Sequence, residues 1–141
     1  MKLKRTAADH WFSRCIRIRN EFKCQSCGKQ YEENSAGLHC SHYFSRAKKG
    51  IRYDKLNAFA HCYGCHQRLG SSPDYFVRHY IDTYGEGALE LIREKAEDVD
   101  LAKRAHKEVK EIAKHYKAEA ARMENDRAAG VRGWLEFVSW D

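Results

Sequence analysis

The chain has 141 residues, a length that suits one domain with an appendage. One third of it is charged (33%) and a single residue is proline, which favours extended helix over proline-rich linker. Its 26 basic and 20 acidic residues leave a net charge of +6, which favours a polyanionic partner. With no apolar signal core and no run of 18 apolar residues, the expectation is a cytoplasmic protein, neither secreted nor membrane-spanning.

In chain order, Thr6 to Asp9 reads as a capping box with Asp in place of Glu, opening a helix to about Asn20. Trp11, Phe12, Cys15, Ile16 and Ile18 give that helix an apolar face. Arg14, Arg17 and Arg19 give it a basic one, suited either to solvent or to phosphate. Phe22 leads into Cys24-x-x-Cys27, and Gly28 suits the tight turn after it. A strand is predicted over Leu38–Phe44, then a turn-rich stretch from Arg46 to Gly50. A returning strand follows over Asn57–Ala60, ahead of Cys62-x-x-Cys65. Pro73 opens a helix over Asp74–Tyr84 with Tyr75, Phe76, Tyr80 and Ile81 inward, closed by Gly85; another covers about Glu86–Ala96.

Asp98 or Asp100 is placed to cap one long helix to about Asn125. Its stripe of Leu101, Ala105, Val109, Ile112, Tyr116, Ala120 and Met123 is narrow, suited to packing on one side or to pairing with another helix. With the aromatic tail (Trp134, Phe137, Trp140) it leads to an expectation of homodimer formation, against a rival in which the helix folds back on its own chain. The division expected is residues 1–96 as one domain and 97–141 as a C-terminal helical extension with an aromatic tail. Whether that tail docks or is disordered stays open.

Two Cys-x-x-Cys pairs supply the four thiolates of a tetrahedral structural zinc site, and a reducing compartment favours metal over disulfide. The segment 28–61 between them exceeds the roughly 15–20 residues of a zinc ribbon, so something is inserted there. Cys15 reads as core, and Cys40 lacks a paired partner. The insert carries His39, Ser41, His42 and Asn57, and His66 follows the last cysteine. Phosphodiester hydrolysis needs a base, for which a neutral histidine with a pKa of about 6.5 is suited. It also needs a cation at the phosphate and a group that orients the base. His42, His66 and Asn57 are candidates for this set, with His39 and His61 weaker ones.

The stretches Leu38–Arg46, Arg52–Asn57 and His61–His66 resemble a zinc-bound HNH (ββα-metal) nuclease. Within that group the chain is most similar to the NinG/Rap recombination proteins of lambdoid phages. Ala8–Ser13, Ile16–Arg19, Cys24–Lys29 and Tyr80–Gly85 extend the likeness from about residue 6 to about 95. The resemblance implies an α+β fold: a small zinc-stabilised ββα-metal core with flanking helices, here followed by the long C-terminal helix. It implies zinc on Cys24, Cys27, Cys62 and Cys65, and a Mg²⁺- or Mn²⁺-dependent endonuclease acting on branched DNA in phage recombination, in the host cytoplasm. By position His42 is the general base, Asn57 the orienting residue and His66 a catalytic-metal ligand. Many HNH enzymes have Asp or His where this chain has Ser41, a poor ligand, so His39 or phosphate oxygens would complete the cation's shell. Arg14, Arg17, Arg19, Arg46, Lys48, Lys49 and Arg52 flank the site as candidate DNA contacts. Two other readings are a non-cleaving zinc-stabilised DNA-binding accessory protein and an HNH enzyme that nicks duplex DNA.

Overall fold

The structure is a computed structural model describing residues 3–141. Helix α1 (Ala7–Arg19) opens on the predicted box: Thr6 Oγ1 accepts from the Asp9 amide, and Asp9 accepts from the Thr6 amide. Glu21 and Phe22 turn the chain with φ of +57° and +58°. An isolated bridge between Lys23 and Gln30 then closes a short loop that carries Cys24 and Cys27. Gly28, at φ +78°, allows its amide to reach back to the Cys24 carbonyl.

Strands β1 (Leu38–His42) and β2 (Ala58–Cys62) pair antiparallel with Leu38 opposite Cys62 and His42 opposite Ala58. Alternation divides the hairpin's side chains. Leu38, Cys40, Ala58 and Ala60 pack in the core that includes Phe12, Cys15 and Ile16 of α1, where small alanines permit close approach. Phe59, on the other face, joins Ile51, Leu69, Phe76, Tyr80, Leu89 and Ile92. These come from short 3-10 turns and from helices α2 (Tyr63–Gly70), α3 (Pro73–Tyr84) and α4 (Glu86–Ala96). The strands are shorter or shifted relative to expectation, and Tyr75 faces outward rather than inward, half exposed.

The long C-terminal helix is interrupted. Asp98 caps α5 (Val99–Lys107), the backbone kinks at Glu108, and α6 runs Val109–Ala128. The kink lets α6 lie along α1, burying Ile112, Tyr116, Ala120 and Met123 among Phe12, Cys15 and Ile16. The stripe is therefore covered within the chain, as the fold-back arrangement requires. The tail docks as well: Phe137 is buried, the Leu135 amide donates to Arg19 O at 3.0 Å, and the Trp140 amide donates to the Tyr116 hydroxyl. Residues of the 97–141 segment thus share the core of α1. Among the described residues the fold is mostly helical, with six α-helices and one two-stranded hairpin. No described helix is long and apolar enough to cross a membrane.

Candidate functional site

The four cysteines of the two pairs converge, every sulfur within 4.8 Å of the others. Cys27 and Cys62 Sγ lie 3.8 Å apart. Four sulfurs about 2.3 Å from one tetrahedral zinc would be separated by about 3.8 Å, so this cluster fits a structural zinc. Polar neighbours suit thiolates: the Ser26 amide donates to Cys24 Sγ, and Arg68 donates to Cys65 Sγ. Gln25 ties the loop to the hairpin, its amide donating to Ala60 O and its side-chain oxygen accepting from the Ala60 amide, both at 2.8 Å. Cys15 is buried core, and Cys40 lies outside the cluster.

Beside this cluster a cleft of about 780 Å³ runs along α1, from Asp9 to Arg17, and between it, β1 and the first turn of α2. His39, His42 and His66 line it together with Arg5, Arg17 and Arg46, and Asp9 is its one carboxylate among the described residues. His39 and His66 face each other with their Nδ1 atoms 3.3 Å apart. Two ligands about 2.1 Å from one ion stand about 3.0 Å apart in an octahedron and about 3.4 Å in a tetrahedron. The pair therefore has the spacing of two ligands to a single cation. Ser41 does not line the cleft. It is 1% exposed, and its Oγ lacks a hydrogen-bond partner.

His42 Nε2 lies 2.9 Å from the carbonyl of Arg52. A carbonyl can only accept, so Nε2 carries the proton and Nδ1 keeps its lone pair. Burial pushes the imidazole down to about 4, well below the near-neutral value expected of an accessible histidine, so His42 is neutral at physiological pH. Asn57, fully buried, makes no hydrogen bond to His42 among the described residues. Its Oδ1 accepts from the Phe44 amide at 2.8 Å, and its Nδ2 donates to the carbonyls of Phe44 and Ile51 at 3.0 and 3.1 Å. It clamps Phe44 and Ile51 of the segment between the strands. His61 lies outside the cleft. It is buried against His79, their Nε2 atoms 2.9 Å apart.

The basic residues divide into two sets. Arg17 and Arg46 reach the cleft, and Lys49 is exposed but does not line it. Arg19 is 1% exposed; it donates to the carbonyls of Lys55 and Ala58 and lies over the Trp134 ring at 4.4 Å, so it holds the fold and cannot meet DNA. Arg52 is buried on Asp9, Arg14 is engaged by Glu33 and Glu124, and Lys48 pairs with Glu97. Arg5 and Asp9 are cleft residues that sequence patterns alone do not reveal. Arg5 precedes the predicted helix with no motif to mark it, and Asp9 shows only as a cap.

The fold and site thus define a small, largely helical protein with a four-cysteine cluster beside a basic, histidine-lined cleft. Residues 4–126 match the family model described as bacteriophage lambda NinG protein, and the chain belongs to the NinG family. No curated protein and no solved structure matches it.

Proposed function

We propose that the protein is a metal-dependent DNA endonuclease acting on branched recombination intermediates, with β1, β2 and α2 as a ββα-metal core held by zinc. The observation that carries this reading is the orientation of His42: Nε2 is tied to the Arg52 carbonyl, and the unprotonated Nδ1 belongs to a ring lining the cleft shared with His39 and His66. Nδ1 accepts a proton from water as that water attacks the phosphorus, and the 3′ oxygen leaves. His39 and His66 would hold a divalent cation, which supplies charge neutralisation at the scissile phosphate. Arg5, Arg17 and Arg46 draw the DNA backbone into the cleft, and Asn57 keeps the 44–51 loop in place beneath it. Two imidazoles without a free carboxylate suit Mn²⁺ better than Mg²⁺.

A non-cleaving DNA-binding role is the second reading, favoured by Ser41, whose buried hydroxyl offers the cation nothing. One experiment separates them. Labelled four-way junction and linear duplex are incubated with purified protein in Mn²⁺, Mg²⁺ or EDTA. Metal-dependent incision of the junction is expected; binding without incision in either metal supports the accessory role, and equal cutting of duplex removes the preference for branches.

A further inference from the structure

Asp9 has more partners than a helix cap requires. Its Oδ2 accepts from the Thr6 amide at 2.7 Å, completing the box, while Oδ1 accepts from Arg52 Nε at 3.0 Å and Oδ2 also from Arg52 Nη2 at 2.5 Å. The side chains of Arg52 and Asp9 are 9% and 7% exposed. Arg52 Nη2 also donates to the Lys4 carbonyl at 2.7 Å. This two-pronged fork admits a single orientation of the guanidinium. A buried ion pair is a poor way to gain stability, because desolvation offsets most of the attraction; its use is to fix geometry. The geometry fixed here is that of residue 52, whose carbonyl receives His42 Nε2–H at 2.9 Å. The next residue is held from two more sides: the Tyr53 hydroxyl bonds Thr6 Oγ1 at 3.0 Å, and the Tyr53 carbonyl accepts from Tyr116 of α6.

We infer that Asp9 is a positioning residue for His42: through Arg52 it holds the carbonyl that keeps the imidazole as its Nε2–H tautomer, with Nδ1 free. Arg52 is then a buried part of this chain of contacts rather than a DNA contact, and α1 sets the base without touching substrate. The inference rests on His42 acting as the base, but its test does not depend on cleavage.

The test is nitrogen NMR of the His42 ring in full-length, zinc-loaded protein at neutral pH, alongside single-turnover cleavage at varied enzyme concentration. In the wild type the ring should be a single Nε2–H tautomer; an Nδ1–H tautomer overturns the inference outright. Asp9→Asn and Arg52→Lys should each give a mixture of tautomers with zinc content unchanged. Each should lower the maximal rate at least about tenfold, with the half-saturating enzyme concentration within about twofold. The double variant should be no worse than the poorer single one, as expected for two members of one chain of contacts. If Asp9→Asn and Arg52→Lys keep the pure Nε2–H form, Asp9 is only a cap and the inference fails. If the wild type never cuts DNA, the nuclease reading fails while the tautomer result still decides the role of Asp9.

Discussion

The Nδ1 atoms of His39 and His66 stand 3.3 Å apart, one from β1 and the other from the first turn of α2, directly after Cys65 of the four-cysteine cluster. A residue two places from Ser41 on the same strand face thus meets the helix, while Ser41 itself is buried. His39→Ala and His66→Ala are each expected to abolish Mn²⁺-supported cleavage while leaving zinc content and DNA affinity nearly unchanged. Cleavage is expected to be faster in Mn²⁺ than in Mg²⁺. Elemental analysis and single-turnover rates check this, and a His39→Ala protein with wild-type activity would move the second ligand elsewhere.

The pH dependence follows from burial. Only the neutral imidazole accepts a proton, and His42 is pushed down to about 4, so the base is in its active form throughout the neutral range. The single-turnover rate is expected to be level between about pH 6 and pH 8 and to fall only as pH drops toward that lowered value. A rate that climbs tenfold through the ordinary histidine pKa of about 6.5 would contradict the buried, carbonyl-tied ring.

Arg17→Ala and Arg46→Ala should each weaken DNA binding and make the slope of log affinity against log salt shallower by about 0.9 for each phosphate no longer neutralised. Arg19→Ala should instead lower the melting temperature, since it leaves the Lys55 carbonyl and the Tyr84 hydroxyl without their guanidinium donor and takes one of two donors from the Ala58 carbonyl. Salt titrations and thermal melts distinguish the two classes. An Arg19→Ala protein of native stability with weakened DNA binding would reverse the assignment.

Much of the site's chemistry is legible in the sequence because it is local. The Cys-x-x-Cys spacings, the Thr6–Asp9 box and Gly85 after α3 are patterns within a few residues, and the structure carries each of them. What the sequence hides depends on packing across long separations. The seven-residue stripe from Leu101 to Met123 gives no sign of the kink at Glu108, because both helices keep helical periodicity on either side of it. Arg19 and Arg17 look alike in a basic face; only the docking of the tail and of Tyr84 makes one core and leaves the other in the cleft. Asn57 is expected to face the base, but its amide is spent on the loop backbone, a partner no residue pattern specifies.

Ending the chain at Ala96 tests the packing of the C-terminal segment on α1. It strips Ile112, Tyr116, Ala120, Met123 and Phe137 from α1 and leaves Phe12, Cys15 and Ile16 open to water, a loss of burial comparable to the total stability typical of a small domain, about 5–15 kcal/mol. The truncated protein is expected to lack a cooperative thermal transition, and the full chain to sediment as a monomer at micromolar concentration. A truncated protein that melts cooperatively would restore the extension as a separate unit.

The most direct measurement of the nuclease mechanism is single-turnover cleavage of a labelled four-way junction in Mn²⁺ by wild type and His42→Ala, with zinc content and junction affinity measured on the same samples. The variant should keep one zinc per chain and an affinity within about twofold, because the base acts only as the transition state is reached. Its cleavage should be slower by about 10²–10⁴-fold. Cleavage by His42→Ala at close to the wild-type rate would contradict the assignment of His42 as the base.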